Sequence, residues 1–157
     1  MKDTDLFFNA IRAGDPDRLQ AFLNINPQLV NAKDSRGFTP LIFATYFDNE
    51  KATKVLLDNN AEIDDHDATG NTALIGVCFK GNEKLARTLI QHGANINVVN
   101  NMGTTPLIFA TMYNKEEIIK LLLETGADKN IKDNEGRTAY DHAVDKGFKN
   151  LVKLLKV

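Results

Sequence analysis

A single cysteine, Cys78, rules out an intrachain disulfide and fits a reducing compartment. An excess of either charge is also missing, because 19 Lys and Arg face 21 Asp and Glu for a formal net charge of −2. A near-neutral chain has no general attraction for nucleic acid or an anionic membrane, so neither is expected as a partner. Nothing approaches the roughly 20 consecutive apolar residues of a membrane span. Leu6, Phe7 and Phe8 make too short a run for a signal peptide, and Asp3 and Asp5 sit beside it. The cytoplasm is therefore the expected location. There is no phosphate-binding glycine loop, no G-x-S-x-G elbow and no C-x-x-C pair. Neither catalysis nor a cofactor is expected. What the chain does have is 43% hydrophobic and 25% charged residues, a balance that suits one soluble domain with its own core.

The clearest signal is periodic. Gly37, Gly70, Gly103 and Gly136 follow one another at intervals of 33 residues. Two residues after each stands a threonine: Thr39, Thr72, Thr105 and Thr138. Pro40, Ala73, Pro106 or Ala139 comes next, then Leu41, Leu74, Leu107 or Tyr140. One G-x-T means nothing, but four in register identify a repeat. Threonine is a good N-cap, and proline at the first helical position loses no helical hydrogen bond. A short inner helix is predicted from this point, over Pro40 to Phe47 in the first instance. Gly14, Asp48, Gly81, Asn114 and Gly147 then mark a left-handed turn, because Gly, Asn and Asp tolerate positive φ. An outer helix follows, rich in leucine and isoleucine, and is expected to stop at Asn60, Gly93 and Gly126.

A G-x-T-P-L turn, two helices and a closing G-A-D/N-x-N at this period resemble the ankyrin repeat, over essentially the whole chain. The resemblance implies an all-α solenoid of stacked helix-turn-helix units joined by β-hairpin-like turns. The units are residues 1–33 as an N-terminal cap, 34–66, 67–99 and 100–132 as full repeats, and 133–157 as a C-terminal cap, all in a single domain 1–157. In the first unit, Phe7 to Leu23 reads as a helical pair with Pro16 opening its second helix, followed by a loop from Asn24 to Asn31. The family's usual histidine after T-P-L is replaced by Ile42, Ile75, Ile108 and Asp141, which predicts an apolar stripe in three repeats. Asp141, three residues after Thr138, suits a capping box. The lysines Lys149, Lys153 and Lys156 are expected on the polar outer side of the last unit.

Signals of catalysis or metal binding are weak. Asp65-His-Asp67-Ala-Thr69-Gly70 looks like the opening of an EF-hand loop, but the twelfth position, which needs a bidentate glutamate, is Gly76. His66 belongs to a hairpin, His92 to a helix end and His142 to an inner helix, and no two have the i, i+4 spacing of a helical zinc site. No metal is expected. Cys78 occupies a small-residue position on an inner helix and reads as a buried, inert thiol.

A binding role is the better candidate, and the resemblance says where to look. Proteins of this family usually bind through the hairpin tips and the exposed, concave side of the inner helices. The two positions before each inner-helix turn are Arg12 and Ala13, Tyr46 and Phe47, Phe79 and Lys80, Met112 and Tyr113, and Asp145 and Lys146. Aromatic side chains in the middle flanked by charge at the ends suit an interface with an apolar core and a polar rim. Tyr46, Phe47, Phe79, Lys80, Met112 and Tyr113, with Arg12 and Lys146, are the predicted contacts. The competing expectation is that the rings pack laterally on neighbouring inner helices and are largely buried. Arg36, Phe38, Asn71, Met102 and Arg137 are the candidate contacts at the hairpin tips, with Phe38 and Met102 as apolar anchors.

Gly76 stands where Phe43, Phe109 and His142 stand in other repeats. A glycine inside a helix costs about 1 kcal/mol against alanine, so it needs a reason. Room for a neighbouring ring such as Phe43, Phe79 or Phe109 is one. A notch that receives a side chain, a peptide or a small molecule is the other. The function expected is a non-enzymatic module, monomeric on its own, that holds one protein partner. The alternative is a sensor built on the Gly76 notch.

Overall fold

A computed structural model describes residues 2–157. Helices and turns make up the architecture, with no strand among the described residues; a lone antiparallel bridge joins His66 to Thr72. The chain divides into two compact units, Met1–Ala73 and Leu74–Val157.

The first unit holds two helical pairs. Helix α1 (Asp3–Ala13) pairs with α2 (Pro16–Ile25), and α3 (Pro40–Tyr46) with α4 (Glu50–Asp58). The inner helices α1 and α3 pack together, as do the outer helices α2 and α4. Phe7, Ile11, Leu19, Leu41, Phe43 and Leu56 form the centre of this core. Full burial of each such side chain contributes roughly 1.5–3 kcal/mol. The segment expected to be a loop, 24–31, is largely helical. Helix α2 continues through Ile25, and a 3-10 helix follows over Pro27–Asn31. Two local features explain it: Pro27 opens the 3-10 turn, and the Gln28 N–H donates to Asn26 Oδ1.

The second unit contains α5 (Ala73–Lys80) with α6 (Glu83–Gln91), α7 (Pro106–Met112) with α8 (Glu116–Glu124), and α9 (Ala139–Lys146) with α10 (Lys149–Leu155). Helix α7 packs on α9, and α8 packs on both α6 and α10. Leu74, Ile75, Leu85, Leu89, Leu107 and Ile108 are fully buried here, and Ile42 is buried in the first unit. The isoleucines in place of the family's histidine therefore do form apolar core.

The helix boundaries follow from the capping residues. The N–H groups of Ile42, Ile108 and Asp141 donate to the hydroxyls of Thr39, Thr105 and Thr138. Asp141 completes the capping box by accepting the Thr138 N–H at 3.0 Å. Asp15, Asn49 and Asn82 cap α2, α4 and α6 in the same way. Each such cap contributes about 1 kcal/mol. The inner-helix turns are left-handed even where the residue is not glycine, with φ 57° at Asp48 and 54° at Asn114. Helix α3 ends one residue earlier than predicted, and Phe47 is its C-cap.

Ties between repeats recur at fixed intervals. In the first unit the Glu62 N–H donates to Asn31 Oδ1, and in the second the Asp128 N–H donates to Asn97 Oδ1, both at 2.9 Å. The amide of Asn49 links two pairs, since Nδ2 donates to the Ile11 carbonyl at 2.9 Å.

Candidate functional site

The hairpin tips share one device. Asp34, Asp67, Asn100 and Asp133 each stand three residues before a tip glycine. Each side-chain Oδ1 accepts two backbone N–H groups, those of residues two and four further on. This is an Asx turn extended by one bond, and it fixes the tip without a strand pair. It also accounts for the EF-hand likeness at 65–70, because Asp67 Oδ1 is occupied by Thr69 N–H, Thr69 Oγ1 and Asn71 N–H. Burial works to raise the Asp34 carboxyl, but hydrogen bonds from Arg36 and Phe38 outweigh it and hold it below the ordinary value.

In the first unit an aromatic cluster runs from buried to exposed. Phe8 meets Phe43 edge-on at 5.3 Å, Phe43 meets Phe47 at 4.7 Å, and Phe47 meets Tyr46 at 5.3 Å. Phe43 is buried, whereas Tyr46 is exposed and Phe47 is 55% exposed. The Arg12 guanidinium lies 5.5 Å from the Phe43 ring. Phe38 is not an exposed anchor. It is half-buried, with the Arg36 guanidinium 4.5 Å above its ring, and Arg36 is also paired with Asp34 at 2.8 Å. Asn71 is likewise half-buried at its tip.

The second unit has its own cluster. Phe79 and Tyr113 meet edge-on at 4.7 Å, and Phe109 stands 6.1 Å from the first ring and 5.5 Å from the second. Phe79 and Tyr113 nevertheless remain exposed, so lateral packing and accessibility coexist. Lys80 and Lys146 are exposed, and Met112 is half-buried. Met102, 62% exposed, projects from its hairpin tip. Arg137 is turned onto the carboxylate of Asp145.

A groove of about 260 Å³ lies in this unit. Met102, Phe109, Met112 and Tyr113 give it an apolar side. Asp133, Glu135 and His142 give it a polar one. His142 Nε2 is 2.7 Å from Asp133 Oδ2, with the two side chains only 11% and 9% exposed. For Asp133, too, burial acts upward, yet the bonds from His142 and from the Arg137 and Glu135 N–H groups hold the carboxyl below its usual range. No sequence pattern points to this pair, because its members lie nine residues apart on different elements.

Gly76 makes room for neither Phe79 nor Phe109. A Cβ placed there would have no heavy atom within 4 Å, so the position is open. Cys78 is buried, and burial pushes its thiol far upward, as befits an inert side chain. Among the described residues no three His, Cys, Asp or Glu side chains converge as a metal cluster would require. No described helix is long and apolar enough to cross a membrane.

Capped helix pairs at a 33-residue period, with tips fixed by Asx turns, define an all-α repeat protein. The family model "Ankyrin repeats (3 copies)" matches residues 7–100 and 77–156, and the chain belongs to the ankyrin-repeat family. No curated protein matches it. Ankyrin repeats are in general protein–protein interaction modules.

Proposed function

We propose that this chain is a non-enzymatic module that holds one protein partner through the exposed ends of its inner helices, the concave face of the family. The observation that carries this reading is the exposure of Tyr46 and Phe47 in one unit and of Phe79 and Tyr113 in the other. Aromatic rings held by neighbouring rings lose little conformational entropy on binding. Arg12, Lys80 and Lys146 supply a charged rim, and Met102 extends the contact to a hairpin tip. On its own the chain is a cytoplasmic monomer, and it binds neither nucleic acid nor membrane.

Tyr46, Phe79 and Tyr113 carry the binding energy in this reading. Truncation of each to alanine is expected to cost on the order of 2 kcal/mol of affinity. The test is affinity capture from native lysate, with the triple alanine variant as control. A partner retained equally by a folded triple variant defeats the concave-face reading.

Open space at Gly76 favours a second reading, in which a peptide or small ligand seats there. Gly76→Phe installs the residue that stands at the equivalent positions 43 and 109. A ligand that raises the melting temperature of the native chain but not of this variant supports the sensor.

A further inference from the structure

We propose that the groove of the second unit receives a single basic side chain, lysine or arginine, from a partner segment. The proposal rests on the protein-binding reading above and adds a chemistry to it.

Size limits the occupant first. About 260 Å³ falls below the roughly 300–1,000 Å³ of sites that enclose drug-sized ligands. One long side chain fits better than a whole small molecule. The walls then suit an aliphatic stem with a charged end. Met102 and Met112 offer flexible apolar surface, and Phe109 and Tyr113 are aromatic rings, the side chains that can attract a cation.

The polar side selects the sign of the charge. Asp133 is ionised at neutral pH and accepts three hydrogen bonds. A carboxylate only accepts, so His142 Nε2 must carry the proton that joins them. The other ring nitrogen, Nδ1, has no hydrogen-bond partner among the described residues and is not sealed from solvent. Glu135 is exposed on the rim and makes no ion pair among the described residues. Arg137, a cation of the same hairpin, is paired with Asp145. The groove thus presents two carboxylates, and it repels an acidic ligand. Residues 74–157 as a whole carry 12 Lys and Arg against 9 Asp and Glu. A strongly basic stretch is therefore disfavoured over one basic residue with neutral neighbours.

The experiment is an NMR titration of the full chain, with methionine methyl groups and histidine rings labelled. The probes are blocked Gly-Gly-X-Gly-Gly peptides with X as lysine, arginine, norleucine or glutamate. Lysine and arginine peptides are expected to move the signals of Met102, Met112 and His142. Norleucine, which keeps the stem and loses the charge, is expected to bind about 3–5-fold more weakly. Glu135→Gln is expected to weaken lysine binding about 3-fold, and added salt to act in the same direction. Equal binding of lysine and norleucine, preference for glutamate, or unmoved methyl groups would each overturn the proposal. A partner lost from the triple alanine variant alongside a silent lysine titration defeats the groove alone. A working lysine titration with capture unaffected by the triple variant defeats the concave-face reading alone.

Discussion

His142 Nε2 and Asp133 Oδ2 are 2.7 Å apart and tie the last inner helix to the hairpin before it. The bond engages an imidazole at a position where other repeats carry a phenylalanine or a glycine. It also fixes the hairpin, since the same carboxylate accepts the N–H groups of Glu135 and Arg137. A proton added to Asp133 weakens all three interactions at once.

Acid should therefore destabilise the fold in a predictable window. Asp133, Asp34 and Asp141 all hold their protons more weakly in the folded chain than in the unfolded one. As pH falls, the unfolded state takes up protons first. The stabilisation is complete above the unfolded carboxylate value of about 3.9 and is lost as pH drops through the lower folded values. Urea unfolding between neutral pH and pH 3 measures this. Asp133→Asn should flatten the acid limb relative to the native chain. An acid limb of undiminished slope refutes the assignment to Asp133.

Asn49 performs two tasks that substitution separates. Its Oδ1 caps α4 by accepting the Ala52 N–H at 3.0 Å, and its Nδ2 donates to the Ile11 carbonyl. Asn49→Ser keeps the cap and loses the bridge, at an expected cost of about 1 kcal/mol. Asn49→Ala loses both and should cost about 2 kcal/mol. Chemical denaturation of the two variants distinguishes these losses, and equal costs would leave the bridge without energetic weight.

Two glycines should respond to alanine in opposite directions. Gly76 lies in a helix with open space where a methyl group would stand, so Gly76→Ala is expected to stabilise by about 1 kcal/mol. Gly103 has φ 73°, and a Cβ there would come within 2.9 Å of the Asn134 backbone nitrogen. Gly103→Ala is expected to cost at least about 2 kcal/mol. Thermal or urea unfolding reads both signs directly.

These contrasts reflect what a repeat makes visible. A left-handed turn or a cap restricts residue type strongly, so spacing alone assigns Asp48, Gly81, Thr39 and Thr105. The Asx device at Asp34, Asp67, Asn100 and Asp133 obeys the same 33-residue spacing. It is masked in the sequence because Asp67 also fits the start of a calcium loop. The 3-10 turn after Ile25 is hidden by an asparagine-rich stretch that reads as loop until Asn26 is known to cap Gln28. Exposure at the candidate site is harder still. Whether Phe79 and Tyr113 lie buried or open depends on ring angles that no pattern encodes. The groove depends on a contact across nine residues, and Phe38 is half-buried with the Arg36 guanidinium over its ring.

The Phe79–Tyr113 contact offers the most direct separation of stability from recognition. The rings meet edge-on at 4.7 Å while both stay exposed. Edge-to-face pairs contribute about 0.5–1.5 kcal/mol beyond the area they bury. A double-mutant cycle with Phe79→Leu, Tyr113→Leu and both together should return a coupling energy in that range for unfolding. Leucine keeps much of the apolar volume, so the cycle reports the ring geometry rather than a collapsed surface. Tyr113→Phe retains the ring and should leave the stability coupling intact. If the phenol also contacts a partner, that single variant loses affinity without losing stability, because only the hydroxyl is removed. A coupling energy near zero would mean that the two rings sit side by side without supporting one another, and a pre-ordered aromatic surface would then lose its physical basis.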